Sequence, residues 1–554
     1  MKKPLPIGIS DFKEIIEGNY AYVDKSLFIA EVLEEGTKVA LIPRPRRFGK
    51  TLNLSMLRYF FEKTERDTSY LFKHLKIWQN ERCRNLQGQF PVVYLTFKSI
   101  KHSTWDEAFE HFSKIISEEF QRHRYLLDGL GLEEKEYFKV ILRKEGDEVQ
   151  TATSLRLLTH WMHRYHEKPV ILLIDEYDTP AHAAYTGGYY DPLIEFLCNL
   201  LSDCLKDNPS LERAVLTGIL CIAKGNIFSG LNNIRTFTLL NEGFSDKFGL
   251  LESEVSELLT SYGLVDKLPL FRQWYDGYRI GSCTGIYNPW SVLNCLAEKG
   301  ELAPYWVNTS NNALIKQLIA QGGRDLKADF EILLQGGTIA QKIEEGTVFP
   351  QLAQGTRAIW MLLLYSGYLT IDEKPTYDTP CPLRIPNREI YELYRSMVLD
   401  WFERSINDSQ YQLLLNSLTK GDVATFSILL SEFVLSSVSV FDVPYEESEK
   451  IYHAFVLGLL VGLKDSYTIK SNREGGLGRY DVMLFPKNTQ ELGIVMEFKK
   501  VAPSEDLEQA AEAALQQIEE KKYAQELIAY GVSHVLSLGL AFKGKQVLVK
   551  SRQL

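Results

Sequence analysis

Three consecutive residues, Gly49-Lys50-Thr51, supply the chemistry with which many proteins hold a phosphate group. The glycine lets an anion approach the backbone, the lysine brings a positive charge, and the threonine hydroxyl is a ligand for Mg²⁺. The apolar run 39–42 precedes them and residues 52–61 follow with helical spacing, which predicts a strand, a loop and a helix. In that context backbone N–H groups at the helix N-terminus surround the phosphate. The sequence therefore predicts a nucleotide site.

The loop departs from the glycine-rich pattern at its first position, which is occupied by Arg44. Arg44, Arg46 and Arg47 could replace the lost backbone contacts with charge-assisted hydrogen bonds to phosphate. They could equally reach a neighbouring subunit or DNA, and the sequence leaves these alternatives open. The loop residues predicted to contact the nucleotide are Arg46, Arg47, Gly49, Lys50 and Thr51.

A second chemical signal is the acidic pair Asp175-Glu176, which directly follows the apolar run 170–174. A carboxylate at the C-terminal end of a buried strand lies where ligands bind in open α/β sheets. Asp175 is predicted to bind Mg²⁺ and the nucleotide, and Glu176 to orient and deprotonate the attacking water. A solvated acidic turn is the alternative. Thr217, at the end of the next predicted strand, is predicted either to contact the γ-phosphate or to cap its strand.

A third group of reactive side chains lies near the C-terminus, in the segment 493–499. Because side chains alternate along a strand, Glu497 and Lys499 should share one face. Asp481 can lie beside Glu497 if the chain turns near residues 487–491. Two carboxylates and one ammonium suit phosphodiester cleavage, because the carboxylates hold Mg²⁺ and the lysine stabilises charge growing on phosphate. An edge strand with solvated charges is the alternative.

The elements that would position these residues predict an α/β protein of several domains. Residues 1–245 alternate strand-like and helix-like segments, which predicts a largely parallel sheet covered by helices. Residues 246–335 are predicted to be mostly helical. Residues 336–440 are predicted to be helical apart from two short strands, which could form the wing of a winged-helix unit. The strands predicted in these segments are 38–42, 91–97, 169–174, 213–220, 368–372 and 382–385.

The last segment, 441–554, returns to a mixed pattern of strands and helices. Its predicted helices are 446–463 and 504–527, and its predicted strands are 479–485, 493–498, 534–541 and 546–549. The predicted turn near 487–491 would pair the first two of these strands as a hairpin.

Composition narrows the class of protein. The net charge of −10 argues against a general nucleic-acid coat, although it leaves room for a local basic patch. Seven scattered cysteines without paired metal-ligand spacing predict reduced thiols in a cytoplasmic protein. The longest apolar run, 454–463, is about half of a membrane span, so we expect a soluble protein without a membrane partner.

Taken together, these motifs resemble those of prokaryotic AAA-ATPase-like proteins that carry a C-terminal PD-(D/E)XK nuclease domain, and the resemblance covers nearly the whole chain. An arginine in place of the first glycine is typical of that family, so the resemblance implies an intact loop. Cys221 departs from the pattern, since many relatives have a basic residue there. The matching stretches are 5–9, 22–26, 44–51, 173–178, 216–219, 227–233, 274–278 and 287–291.

The resemblance implies a P-loop NTPase domain (1–245), a lid-type helical region (246–335), a winged-helix-like region (336–440) and a restriction-endonuclease-like domain (441–554). It implies ATP and Mg²⁺ as cofactors, with Mn²⁺ also accepted at the nuclease site. Glu449 and the Phe498 carbonyl would add metal ligands, and Gln517 would face the site. The implied partners are nucleic acid, with DNA favoured over RNA, and further copies of the chain, because such ATPases often complete their site with a neighbour's arginine.

Two functions fit these observations. The first is an ATP-gated nuclease, in which nucleotide binding or hydrolysis at the loop controls cleavage at the C-terminal site. The second is a nucleotide-switched module that binds nucleic acid without cutting it. Salt-dependent binding without any cleavage product would distinguish the second from the first.

Overall fold

The computed structural model describes most of the chain in two compact units. It describes residues 2–220, 233–306, 324–334, 336–343, 356–374, 379–394, 408–436, 456, 459–475, 478–501, 505–543 and 546–553. One unit comprises residues 1–315 and 338–390, and the other comprises 316–337 and 391–554. The division of the chain into four predicted segments stays a prediction.

The first unit contains a parallel sheet of five strands. In chain order they are β1 (Val39–Pro43), β2 (Val92–Thr96), β3 (Val170–Asp175), β4 (Leu211–Gly218) and β5 (Ile234–Thr236). Their spatial order is β2-β3-β4-β1-β5, and every pairing is parallel. All six residues of β3 are buried, as expected for a strand covered by helices on both faces. The order places β4 between β1 and β3, so the C-terminal ends of these three strands adjoin.

Helices cover this sheet and continue through the rest of the first unit. Their bounds are Phe12–Glu17, Leu27–Glu34, Lys50–Phe61, Glu81–Arg84, Trp105–Arg122, Leu132–Leu142, Glu148–His166, Thr179–Gly187, Tyr190–Leu205, Glu252–Tyr262, Leu268–Tyr275, Pro289–Ala297 and Thr356–Ser366. The four strands predicted for this sheet are confirmed, with ends shifted by up to two residues. The three-residue β5 carried too little periodicity to be predicted.

Two small antiparallel sheets complete the first unit. One has the order β6-β8-β7 and consists of β6 (Leu250–Leu251), β7 (Tyr278–Ile280) and β8 (Cys283–Tyr287). The other has the order β10-β11-β9 and consists of β9 (Ile339–Gln341), β10 (Thr370–Ile371) and β11 (Cys381–Arg384). The structure thus adds strands to the mostly helical region 246–335. It confirms the two short strands near 370 and 383, while the winged-helix interpretation stays a prediction.

The second unit is built around a mixed five-stranded sheet. Its strands are β12 (Tyr467–Gly475), β13 (Gly478–Pro486), β14 (Gly493–Lys500), β15 (Val535–Lys543) and β16 (Gln546–Gln553), paired in that order. The β14–β15 pairing is parallel and the other pairings are antiparallel. The predicted hairpin turn near 487–491 is confirmed. The described helices of this unit are Arg324–Leu334, Asp408–Thr419, Val423–Ser436, Leu507–Glu520 and Ala524–Ala529.

The long helix predicted over 504–527 is wrong in one respect, because the structure breaks it in two. Lys522 adopts a left-handed conformation with φ of 56°, which ends the helix Leu507–Glu520 and reverses the chain. The break lets Tyr523 and Leu527 pack in the same apolar core as Leu515 and Ile518. Most of the predicted helix 446–463 lies outside the described residues.

A glycine sets the distance between the helix Leu507–Glu520 and the sheet. A Cβ on Gly539 of β15 would lie 2.3 Å from the Ala511 carbonyl oxygen and 3.0 Å from the Leu515 backbone nitrogen. Only a residue without a side chain allows the helix backbone to lie this close. Gly539 is also the residue of β15 that pairs with Glu497 of β14, so the close approach occurs beside that carboxylate.

We expect Gly539→Ala to lower the stability of the second unit. The added methyl group forces the helix backbone away from the sheet, an overpacking that costs about 1–3 kcal/mol. Calorimetric unfolding of the variant measures the loss. Gly36→Ala is the matched control, because a Cβ there would meet no atom within 4 Å. Equal effects of the two substitutions would contradict this account.

No helix among the described residues has the length and apolar character that crossing a bilayer requires.

Candidate active sites

The loop between β1 and the helix Lys50–Phe61 has an open row of backbone donors. Gly49 adopts φ of 86° and Arg47 adopts φ of 67°, so the loop turns through two left-handed residues. A Cβ on Gly49 would meet no atom within 4 Å, so its conformation and not its space calls for glycine. Within the described part of the chain, no group accepts a hydrogen bond from the N–H groups of Arg46, Arg47, Phe48 or Gly49. These donors are therefore available to an anion.

Arg44 turns away from that row of donors and is fully buried. Its Nη1 donates to the carbonyl oxygens of Pro43 (2.8 Å) and Phe237 (2.6 Å). Its Nη2 donates to those of Gly243 (3.2 Å) and Phe244 (3.3 Å). Burial lowers the pKa of Arg44 to about 9. Arg44 thus anchors the loop to the segment that follows β5, and its guanidinium lies in the protein interior.

The Lys50 ammonium lies inside the loop and is 4% exposed. It donates to the carbonyl oxygens of Arg44 and Pro45 at 3.1 Å each, and it lies 3.4 Å from Glu176 Oε1. Burial disfavours the charged form of Glu176, but Lys50 and Arg46 outweigh it and hold the pKa of Glu176 below its usual range. Glu176 is consequently ionised at neutral pH, as a base must be.

Asp175 lies at the end of β3 and is fully buried between two hydroxyl groups. Thr51 Oγ1 donates to Asp175 Oδ2 and Thr217 Oγ1 donates to Asp175 Oδ1, each at 2.7 Å. Burial and the charge of Glu176 raise the pKa of Asp175. The contact exists because β4 lies between β1 and β3, and it shows that Thr217 faces the carboxylate.

This arrangement fits a nucleotide bound with Mg²⁺. The loop offers free N–H donors and a lysine, and Thr51 with Asp175 places a hydroxyl beside a carboxylate, the oxygen donors that Mg²⁺ prefers. Thr51 and Asp175 would hold the ion, which when bound neutralises charge on the outer phosphates. Glu176 is placed to accept a proton from a water, and Lys50 to stabilise phosphate charge.

The second unit assembles another cluster of polar side chains on the central strand, β14. The pairing of Val482 with Met496 places Asp481 opposite Glu497 one step further along the ladder. The backbone N–H of Phe498 donates to Asp481 Oδ2 at 2.7 Å, which fixes that carboxylate against β14. Asp481 is the fourth residue of β13.

Gln517 connects the members of this cluster. Its Nε2 donates to Glu497 Oε1, and its Oε1 accepts a hydrogen bond from the Lys499 ammonium. Lys499 Nζ also lies 3.7 Å from Glu497 Oε1. The helix Leu507–Glu520 supplies Gln517 and covers this face of the sheet, which leaves Glu497 only 3% exposed. The alternative of an edge strand with solvated charges is therefore wrong.

The charges of both carboxylates also act on the phenol of Tyr523, which is 1% exposed. Burial raises the pKa of Tyr523, Glu497 and Asp481 raise it further, and a hydrogen bond with Gln517 opposes them. Two carboxylates beside a main-chain carbonyl and an ammonium suit a divalent cation, and Asp481, Glu497 and the Phe498 carbonyl would hold it. Bound Mg²⁺ would activate a water for attack on phosphorus. Among the described residues no three acidic, histidine or cysteine side chains group around one point, and Glu449 lies outside them.

Two protein-family models match the regions that contain these two candidate sites. A model described as predicted AAA-ATPase matches residues 6–228, and a model of the PD-(D/E)XK nuclease superfamily matches residues 447–552. The chain joins an AAA-ATPase-like domain to a PD-(D/E)XK nuclease domain. An uncharacterized protein in the vnfD 5' region of Azotobacter chroococcum mcd 1 is 27% identical over 99% of this chain and 98% of its own length.

The structure brings most of the predicted site residues together. In the AAA-ATPase-like domain Lys50, Thr51, Asp175, Glu176 and Thr217 adjoin. In the nuclease domain Asp481, Glu497, Lys499 and Gln517 do so. Arg47 is different, because its guanidinium lies over the Trp290 ring at 4.2 Å from the centroid. Cys221 and Glu449 lie outside the described residues.

Asp178 is a buried residue of the AAA-ATPase-like domain that the sequence analysis did not select. Its Oδ2 accepts hydrogen bonds from the backbone N–H groups of Ile219 (2.9 Å) and Leu220 (2.7 Å). Burial and the charge of Glu176 raise the pKa of Asp178 to about 6. Gly218 makes room for it, because a Cβ there would lie 2.5 Å from Asp178 Oδ1. The signal was present in the sequence as a third acidic residue behind Asp175-Glu176.

Glu389 is another buried acid in the same compact unit, and no sequence pattern pointed to it. Its Oε1 accepts from the Trp306 backbone N–H and its Oε2 accepts from the Ser291 hydroxyl, each at 2.7 Å. Burial raises the pKa of Glu389 to about 7, although these hydrogen bonds oppose the shift. Burial raises the pKa of four further groups to which the charge of Glu389 adds a smaller effect of the same sign: Tyr275, Tyr278, Cys295 and Tyr305.

We expect Glu389 to make the stability of its unit fall as pH rises from about 4.5 to about 7. In that window the folded state holds a proton on Glu389 that the unfolded state has released, so raising the pH favours unfolding, by on the order of 3 kcal/mol. Glu389→Gln should remove this dependence. The glutamine amide can donate to the Ser291 hydroxyl oxygen, because that hydroxyl can rotate and accept instead of donate. The glutamine carbonyl oxygen can still accept from the Trp306 N–H. Thermal unfolding at pH 5 and pH 8 gives the stability of the wild type and of the variant. A variant with the wild-type pH dependence would refute the assignment of this effect to Glu389.

Proposed function

We propose that this protein binds and hydrolyses ATP in its AAA-ATPase-like domain and cleaves phosphodiester bonds of nucleic acid in its nuclease domain. Both activities would use Mg²⁺, with Mn²⁺ also accepted at the nuclease site. DNA is the proposed substrate, and the proposed setting is the cytoplasm. The observation that best supports cleavage is the hydrogen-bonded connection, through Gln517, between the buried Glu497 carboxylate and the Lys499 ammonium. Asp481 accepts a hydrogen bond from the same strand.

The hydrolysis of ATP is supported by the state of Glu176. Its carboxylate is held ionised beside Lys50, and it follows the Asp175 carboxylate that Thr51 and Thr217 bind. A base and a cation-binding oxygen pair thus lie at the same edge of the sheet. We further propose that the nucleotide state of this domain controls cleavage. The active form would be a homo-oligomer in which a neighbouring copy contributes an arginine to the ATP site.

Three proteins test this proposal: the wild type, Lys50→Met and Lys499→Met. Each is incubated with linear duplex DNA and Mg²⁺ or Mn²⁺, with and without ATP, while cleavage products and released phosphate are measured. The proposal expects Lys50→Met to lose ATP hydrolysis and ATP-dependent changes in cutting. It expects Lys499→Met to lose cutting alone. DNA binding that responds to ATP without any cleavage product under either metal would instead show a switched binding module.

A further inference from the structure

The outer side of the phosphate-binding loop is covered, residue by residue, by later parts of the same unit. The Trp306 indole Nε1 donates to the Arg46 carbonyl oxygen at 3.3 Å. The Gly249 backbone N–H donates to the Phe48 carbonyl oxygen at 3.1 Å. These bonds occupy loop carbonyl groups, and the loop N–H groups remain available on the other side.

Side chains add to this cover at the same loop positions. The Phe48 ring packs edge-on against Tyr278, with centroids 5.0 Å apart. A Cβ on Gly367 would lie 2.9 Å from Pro45 Cβ, so the backbone at Gly367 lies directly against the loop. When the Arg47–Trp290 contact is included, each residue from Pro45 to Phe48 contacts a residue between 249 and 367.

Trp306 is a member of this cover that is fixed by buried contacts of its own. It is 1% exposed, and its ring packs on Tyr368 with centroids 4.9 Å apart. Its backbone N–H donates to the fully buried Glu389, which Ser291 also binds. The buried polar network therefore fixes the Trp306 backbone, and the contact with Tyr368 fixes the ring that carries the indole N–H.

We infer that Trp306 is a positioning residue for nucleotide binding. By holding the Arg46 carbonyl outward, its indole N–H keeps the peptide group between Arg46 and Arg47 in the conformation that presents the Arg47 N–H to phosphate. A peptide group that loses this acceptor bond is free to rotate, and each rotated peptide removes one donor from the anion site. Because the loop binds ground-state and transition-state phosphates alike, the contribution is to affinity more than to turnover. This inference rests on the proposed ATP site.

Trp306→Phe tests the inference, since it keeps an aromatic ring beside Tyr368 and removes the N–H donor. It also removes part of the buried ring volume, a loss that the control below shares. One hydrogen bond of ordinary strength corresponds to a weakening of nucleotide binding by about three- to tenfold. We expect the dissociation constant for ATP and the KM to rise by that factor while kcat stays within about twofold. The measurements are calorimetric titration with ATP and steady-state ATPase kinetics.

Trp161→Phe is the matched control, because Trp161 is also buried and also donates its indole N–H, to Glu134 Oε1 at 3.1 Å. It should leave ATP affinity unchanged. Where Trp306→Phe fails to fold, Glu389→Asp serves instead, because the shorter acid withdraws from the Trp306 N–H and should weaken ATP binding in the same direction. Wild-type affinity in the folded variant overturns the inference. A wild-type protein that does not bind ATP, or binds it equally well after Lys50→Met, overturns the proposed ATP site itself.

Discussion

Lys499→Met should reduce nucleic-acid cleavage by a factor of about 10² to 10³ while leaving ATP binding intact. The Lys499 ammonium is the one cation in contact with both Glu497 and Gln517 among the described residues of the cluster, so it is placed to stabilise charge that grows on a phosphate. Methionine keeps the length and apolar stem of the side chain and removes only the charge. Initial rates of cleavage of a labelled duplex, with Mg²⁺ in excess, measure the loss.

Lys500→Met is the matched control for this experiment. Lys500 is the next residue of β14, so its side chain lies on the opposite face of the sheet from Glu497 and Lys499. The control removes the same charge from the same strand and should keep cleavage within about threefold, as expected of a substitution away from the site. Cutting that survives Lys499→Met, or that Lys500→Met reduces equally, would refute the assignment of the site.

Glu176→Gln should lower ATP hydrolysis by a factor of about 10² to 10⁴ and leave ATP binding at least as tight as in the wild type. The amide has the shape of the carboxylate but cannot accept a proton from water. It also releases the Lys50 ammonium, which lies 3.4 Å from Glu176 Oε1, for contact with phosphate. Phosphate release and calorimetric titration measure the two effects on the same preparation.

Glu257→Gln serves as the control for a lost negative charge, because Glu257 is exposed. This variant should hydrolyse ATP at the wild-type rate. Hydrolysis in Glu176→Gln within about threefold of the wild type would exclude Glu176 as the base, since general bases contribute far more. Asp178 would then be the next residue to test, because it is buried beside Glu176 and its pKa is raised to about 6.

Both candidate sites could be predicted from the sequence because each depends on strand geometry. A buried strand that ends in Asp175-Glu176 directs these carboxylates to one edge of a parallel sheet, whatever the details of packing. Alternation along β14 likewise determines that Glu497 and Lys499 share a face. The expected position of Asp481 beside Glu497 followed from the turn between two apolar strands, and the pairing of Val482 with Met496, one residue away, agrees with it.

The remaining features depend on contacts between residues that are distant in sequence. Nothing local predicts that Trp306 donates to Arg46, which is 260 residues away, or that Glu389 is buried beside Ser291. The helix break at Lys522 was missed because residues 504–527 have helix-forming composition throughout, and only the packing of Tyr523 and Leu527 in the core requires a reversal. Tertiary contacts override local propensity in each of these cases.

Arg44 bears on how phosphate-binding loops should be recognised in other sequences. The guanidinium donates hydrogen bonds to four carbonyl oxygens of its own unit, so the first loop position is part of the protein interior. A pattern search that demands glycine at that position would miss a loop whose first residue is buried in the protein interior, as Arg44 is here. A better search criterion would combine the Gly-Lys-Thr ending with an acidic strand end on a nearby parallel strand. Glycine and arginine at the first position would then define two architectures of one binding loop.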